Sequence, residues 1–279
     1  MERSHIDNSD SSGSTEPDDG GSFDADAYLD RIGMPRPSEP DLGYADTLVL
    51  SHQCSVPFEN LDCYDMGRVP DTSIDAVFAK VVLGRRGGYC FEINKLFSRL
   101  LSECGYRVWP ISCSVLHGTD HAEVMLHRAT LVEIDGTVYY SDIGIGGPQP
   151  AGLVPLGGMR TLLGERYSVE RGEGPWWYLI RHRGDGTCAR SVAFWDFPVP
   201  EGYFDPPNLY CSTSADSKFT RRRIVNMRTR DGSLSLVGGT LTERRGGEVT
   251  VTEYDRCEDL AMMLRERFGI DVPPSELRV

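Results

Sequence analysis

The stretch Arg85-Arg86-Gly87-Gly88-Tyr89-Cys90-Phe91-Glu92-Ile93-Asn94 sets two glycines before a cysteine that opens an apolar run of helical period. From Cys90, the residues Ile93, Phe97, Leu100 or Leu101, and Cys104 fall at steps of three and four, and Leu96 widens the same face. Gly105 stands where a glycine ends a helix. The pattern predicts a helix of about 14 residues with Cys90 in its first turn. There the free N–H groups and the helix dipole favour an anion, which is the environment of a reactive thiol.

The rest of the 279-residue chain is long enough for one large domain or two to three small ones. A hydrophobic content of 39% with 25% charged residues is ordinary for a soluble globular protein. The net charge of -13 argues against a nucleic-acid surface, which needs a basic face, and against attraction to anionic membranes. No segment approaches the roughly 20 apolar residues of a membrane-spanning helix. Met1-Glu2-Arg3-Ser4-His5 leads into acids and serines with no apolar run, so no secretory signal is read and a cytoplasmic protein is expected. The cysteines show no CxxC pairs and are expected to be free thiols. Cys113, His117 and His121 are spaced by fours, but they fall in a strand end and loop without a fourth ligand, so no metal is expected.

Residues 1–21 are acidic, polar and nearly free of apolar side chains, which predicts a disordered tail. Asp24, Ala25 and Asp26 prepare a short helix through Tyr28 to Ile32, stopped by Gly33 and Pro35. Helices are also expected over Tyr44 to Cys54 and over Ser73 to Val82, the latter capped near Thr72 or Ser73. Between them Val56-Pro57-Phe58-Glu59-Asn60-Leu61-Asp62 breaks the period. From Tyr106 the texture turns to β. Strands are expected over Arg107–Cys113, Val124–Ile134, Val138–Ile143, Trp177–His182 and Val192–Phe197, then over Ile224–Thr229, Ser233–Val237, Thr240–Arg244 and Glu248–Thr252. A helix over Cys257 to Phe268 closes the chain before Gly269. The order of elements gives an α+β fold without internal repeats.

A cysteine nucleophile needs a base and a group that orients the base. Among the histidines, His5 lies in the tail and His127 has the best-defined context. Asp135-Gly136 is a two-residue hairpin signal, and it places residues whose numbers sum to 271 opposite one another. His127 then faces Gly144, Asp142 faces Ala129, and His127 and Asp142 are diagonal neighbours on one face of the hairpin. Plain structural readings stand beside this one: a strand histidine, a strand-end aspartate and an inert core cysteine.

The sequence resembles the arylamine N-acetyltransferases. Arg86-Gly87-Gly88-Tyr89-Cys90-Phe91-Glu92 resembles that family's nucleophile motif, and Val56-Pro57-Phe58-Glu59-Asn60-Leu61 resembles its PFENL segment. Asp142-Ile143-Gly144-Ile145-Gly146 resembles the segment carrying the triad aspartate, with His127 at the place of the histidine. The likeness runs from about residue 23 to the end and weakens after the aspartate segment.

The resemblance implies three parts behind the tail: a helical domain with the nucleophile over 22–105, a β-barrel domain with His127 and Asp142 over 106–207, and an α/β lid over 208–279. It implies an acetyl group carried from acetyl-CoA to an arylamine or arylhydrazine on Cys90, with His127 and Asp142 completing a catalytic triad. It further implies that Phe58 and Phe91 line the acceptor pocket and that Tyr210, Thr213, Ser214 and Phe219 lie near bound CoA. In that last segment Ala215 replaces the usual proline and Asp216 adds a negative charge. Arg221-Arg222-Arg223 reads as a solvated charge run. Two other enzymes share the triad: an amide synthase of the same fold, which takes a polyketide chain from a carrier protein and closes a macrolactam, and a cysteine hydrolase. The Gly87-Gly88 and PFENL segments argue against the hydrolase.

Overall fold

The computed structural model of the chain describes residues 23–116, 118 and 124–279. The expected tail 1–21 and the histidines His5, His117 and His121 lie outside the described residues.

Residues 25–103 fold mainly as helices whose ends follow from their capping residues. Asp24 accepts from the N–H groups of Asp26 and Ala27 to start helix Ala25–Ile32, and left-handed Gly33 (φ 71°) ends it. Asp41 caps Leu42–Ser55 through Tyr44 N at 2.7 Å, so this helix starts two residues before Tyr44. Ser73 caps Ile74–Phe78, which runs on as a π-helical turn, Ala79–Leu83. The helix of Cys90 spans Cys90–Glu103, 14 residues, and Gly105 follows it with φ 93°. Tyr28, Leu48, Val77, Ile93, Phe97 and Leu100 from these helices meet in one core. That shared burial, rather than intrinsic propensity, holds such short helices.

Thirteen strands follow this scheme among the described residues. The central sheet contains β2 (Arg107–Val115), β3 (His127–Ile134), β4 (Thr137–Ser141), β5 (Val154–Pro155), β6 (Met159–Leu162), β7 (Glu165–Arg171), β8 (Trp176–His182) and β9 (Cys188–Trp195). Its order is β5-β4-β3-β2-β9-β8-β7-β6, and a bridge from Leu156 to Val169 brings its ends together into a nearly closed barrel. Ile111, Leu131, Tyr140, Tyr167, Leu179 and Phe194 fill its interior. The second sheet runs β1 (Phe58–Glu59), β10 (Ile224–Thr229), β11 (Gly232–Val237), β12 (Thr240–Arg245) and β13 (Glu248–Glu253). Helix Cys257–Met263, extended by the π-turn Leu264–Phe268, packs on it through Leu260, Met263, Leu264 and Phe268. The architecture is α+β: helical domain, barrel and α/β lid.

The hairpin register agrees with expectation, since Ile134 pairs with Thr137 and Thr130 with Ser141. The ladder stops there, one residue short of the expected Ala129–Asp142 pair. Asp142 leaves the strand because its own carboxylate accepts from Gly144 N at 2.8 Å, a turn that competes with pairing. Likewise β3 begins at His127 and not at Val124, while β9 begins at Cys188 and ends at Trp195 rather than spanning Val192–Phe197.

The sequence reading omitted β5, β6 and β7 and the helices Asp205–Thr213 and Lys218–Arg221. Leu163 (φ 49°) and Gly164 (φ 79°) form the β6–β7 turn, and a left-handed leucine carries no turn signal. Pro206 and Pro207 read as helix breakers, but they sit in the first turn of their helix, where proline fits. No helix among the described residues is long and apolar enough to cross a membrane.

Candidate active site

Cys90 is the first residue of its helix and is 2% exposed. The two glycines before it are dictated by close approach. A Cβ on Gly87 would lie 2.0 Å from Pro57 O, and one on Gly88 would lie 2.9 Å from Glu92 Oε2. Their absence lets the PFENL strand lie against the loop, where Glu59 N donates to Gly88 O at 3.0 Å. The same strand pairs Phe58 with Asn226 of β10, so it ties the nucleophile loop to the lid sheet. Asn60 reinforces the tie: its Nδ2 donates to Phe219 O and Arg222 O, and its Oδ1 accepts from Ile224 N at 2.7 Å.

His127 opens β3 and Asp142 directly follows the strand paired with it, and both are 3% exposed. His127 Nε2 lies 2.6 Å from Asp142 Oδ2. The imidazole is also hydrogen-bonded to the Cys90 side chain, which leaves Nδ1 for the sulfur. Burial opposes a charge on His127, but Asp142 and Cys90 together push its pKa up to about 10. Burial would likewise raise the Asp142 carboxyl. The charge of His127 and hydrogen bonds from His127, Tyr140 and Asn94 outweigh it and hold the carboxyl below the usual range. Such a relay can keep a proton on the imidazole.

Asn94, one helical turn after Cys90, joins the two halves of this relay. Its Nδ2 donates to Asp142 Oδ1 (2.9 Å) and to Arg128 O (2.6 Å), and its Oδ1 accepts from Ile143 N (3.1 Å). The helix of Cys90 thereby grips both strands that carry its partners. Gly144 must be glycine for this contact, since a Cβ there would meet Asn94 Nδ2 at 2.8 Å and Cys90 Cα at 2.9 Å. Asn94→Ala is expected to keep the fold and lower turnover at Cys90 about 100-fold through loss of alignment. Kinetics on a variant with native-like thermal unfolding will check this, and activity within a factor of about three of the parent would refute it.

Below the thiol lies a buried charge cluster built from both motifs. Lys80 Nζ donates to Asp62 Oδ2 and to Glu92 Oε1 at 2.5 and 2.7 Å. Arg86 donates to Glu59 Oε1 at 3.0 Å and to Asp62 Oδ1 at 3.1 Å. Glu92 Oε2 accepts from Tyr89 N at 3.1 Å and so anchors the loop that presents Cys90. Three carboxylates face two cations here. Burial pushes Glu92 up to about 7, against the pull of Lys80.

Of the remaining expected site residues, Phe58 is buried beside Gly146 and Phe219, with the two phenyl rings 6.1 Å apart. Phe219 also meets Tyr89 edge-on at 5.5 Å. Phe91 is buried against Tyr89 and Phe204. Tyr210 is exposed on helix Asp205–Thr213, Thr213 donates to Leu209 O at 2.6 Å, and Ser214 caps that helix. Arg223 departs from the expected solvated charge run. It is buried in an ion pair with Asp65, and its Nη1 donates to Gly238 O at 2.9 Å. Among the described residues no group of three or more His, Cys, Asp or Glu is placed to hold a metal.

Fold and site together define a thiol-dependent enzyme with a Cys–His–Asp relay between a helical domain and a barrel. The family model described as N-acetyltransferase matches residues 41–277. An arylamine N-acetyltransferase of Mycolicibacterium smegmatis is 32% identical over 263 residues, 90% of this chain and 93% of that one. A solved structure of a Mycobacterium smegmatis N-arylamine acetyltransferase superposes with a TM-score of 0.82 at 32% identity, covering 89% of this chain and 93% of that chain. A proansamycin X synthase of Amycolatopsis mediterranei is 33% identical over 172 residues, 59% of this chain and 64% of its own. The chain belongs to the arylamine N-acetyltransferase family.

The sequence reading missed Asn94, Tyr140, Lys80 and Glu92 as supports of the site. Asn94 had a signal, a polar side chain on the apolar face of a helix. Tyr140 had none, because its hydroxyl bond to Asp142 arises only where the strand breaks off.

Proposed function

We propose that this enzyme moves an acetyl group from acetyl-CoA to the nitrogen of an arylamine or arylhydrazine through an acetyl-Cys90 intermediate. The observation that carries this reading is the buried thiol at a helix N-terminus, hydrogen-bonded to an imidazole that Asp142 orients. Cys90 Sγ attacks the thioester carbonyl, and the departing CoA sulfur takes the proton held on His127. The amine then attacks acetyl-Cys90, His127 accepts its proton, and the sulfur leaves as thiolate. Asp142 fixes the imidazole tautomer throughout. Phe58 and Phe91 are assigned to the acceptor side, where aromatic walls suit an aryl ring. Tyr210, Thr213, Ser214 and Phe219 are assigned to the CoA side. The segments 22–105, 106–207 and 208–279 serve as nucleophile domain, base domain and lid, in a cytoplasmic enzyme without nucleic-acid or membrane partners.

The cycle is ping-pong. Initial rates over varied acetyl-CoA and amine are expected to give parallel double-reciprocal lines, and intersecting lines would contradict the separate half-reactions. The synthase among the relatives supports a second reading, an amide synthase fed by a carrier protein. CoA release with acetyl-CoA plus p-anisidine or hydralazine separates the two, with Cys90→Ser as the blank. No turnover by a folded enzyme across several arylamines would favour the synthase.

A further inference from the structure

On the face of the barrel wall turned away from its interior, a second cysteine meets a histidine. Tyr167 and Val169 of β7 point into the barrel core, so Ser168 and Glu170 lie on the opposite face. The register sets His182 of β8 opposite Cys188 of β9. Cys188 Sγ is 3.2 Å from His182 Nδ1, and His182 Nε2 is 2.8 Å from Ser168 Oγ. Ser168 Oγ in turn donates to Glu170 Oε1 at 2.7 Å. This chain fixes the tautomer: Nε2–H donates to the serine oxygen, the serine hydroxyl donates to the carboxylate, and Nδ1 is left to accept the thiol proton.

The turn before β9 supports the arrangement. Thr187 N and Oγ1 both bond to Asp185 Oδ1, and Arg183 N donates to Thr187 O at 2.8 Å. The turn therefore presents Cys188 at a fixed place. Cys188 is the exposed cysteine of the described set, the others being buried or half-buried. Arg166 stands directly across from His182, and Arg190 follows Cys188 by two residues on β9.

We propose that Cys188 is a second reactive thiol, a modification site that low-molecular-weight disulfides cap through His182. As Cys188 Sγ attacks one sulfur of the disulfide, its proton passes to His182 Nδ1. A new S–S bond forms, the old one breaks, and the leaving thiolate takes the proton from the imidazolium. The protein thiol is oxidised to a mixed disulfide, and half of the reagent is reduced to its thiol. Ser168 and Glu170 are positioning residues that act through His182.

The test uses the full chain with oxidised glutathione and follows the mixed disulfide at Cys188 by peptide mass mapping. The unmodified chain is expected to form it about ten-fold or more faster than His182→Ala, and free imidazole is expected to restore the lost rate. Glu170→Gln is expected to slow the reaction in the parent chain and have no effect in the His182→Ala background. Acetyl transfer at Cys90 should be unchanged in both single variants, which shows that they fold. Equal rates in the parent and His182→Ala chains, or a deficit that imidazole does not repair, would overturn the proposal. Equal slowing by Glu170→Gln in both backgrounds would remove the positioning role.

Discussion

Asp142→Asn is expected to lower acetyl transfer by about 10⁴-fold while the protein stays folded. The size of the loss follows from which atoms meet Asp142. Its Oδ1 accepts from Asn94 Nδ2 and Gly144 N, and its Oδ2 accepts from the Tyr140 hydroxyl and faces His127 Nε2. A carboxamide has one accepting oxygen. Its NH2 cannot sit on the Oδ1 side, where Asn94 Nδ2 and Gly144 N can only donate, so it turns to the Oδ2 side, where the Tyr140 hydroxyl and His127 Nε2 can both accept. Nε2 must then accept, the ring proton moves to Nδ1, and the nitrogen facing Cys90 can no longer take the thiol proton. The variant should also lose the charge that helps push His127 up to about 10. kcat/KM with acetyl-CoA and p-anisidine measures the effect, and a loss below about ten-fold would show that the tautomer does not matter.

The second large effect concerns stability. Lys80→Met is expected to destabilise the protein by about 3–5 kcal/mol near pH 8, because it leaves buried carboxylates without a partner. Lys80 bonds to both Asp62 and Glu92, and with Lys80 gone Arg86 still holds Glu59 and Asp62 while Glu92 loses the cation that bonds it. Adding Glu92→Gln to Lys80→Met should recover part of the loss, since it removes one of the stranded charges. Glu92→Gln alone keeps the acceptor for Tyr89 N but turns its NH2 toward the Lys80 ammonium, which still holds Asp62, so its cost at pH 8 should be smaller than that of Lys80→Met. Its pH effect has a definite sign. Glu92 is raised from 4.5 to about 7 in the folded protein, so the native state binds this proton more tightly than the unfolded chain. The stabilisation is full below about 4.5 and fades as pH rises through about 7, and Glu92→Gln should flatten that slope. Urea unfolding from about pH 4.5 to about pH 8 checks both statements. A Lys80→Met cost under about 1 kcal/mol would show that the cluster relaxes into solvent.

Much of the site was legible because its residues obey local rules. Cys90 opens a run with helical period, and Asp135-Gly136 sets a register that brings His127 and Asp142 together. Local rules fail where the chain is held by distant partners. Phe58–Glu59 looks like a period break, yet it is an edge strand of a sheet whose other members begin at Ile224. Arg223 sits in a charge run that reads as solvated, but Asp65 lies 158 positions away in sequence and takes it into the interior. Lys80 and Glu92 fall on separate helices, and only the fold sets them 2.7 Å apart. The glycines were legible as landmarks, but not the reason for them, because Gly144 faces a helix that precedes it by some fifty residues.

In the proposed cycle Cys90 carries the acetyl group. Mixing the enzyme with acetyl-CoA in the absence of amine, followed by acid quench and peptide mass mapping, tests it directly. The predicted result is one acetyl group on Cys90, matched by an equal amount of released CoA and discharged when p-anisidine is added. Steady turnover with no acetyl on Cys90, or acetyl found on another residue and discharged at the catalytic rate, would contradict it.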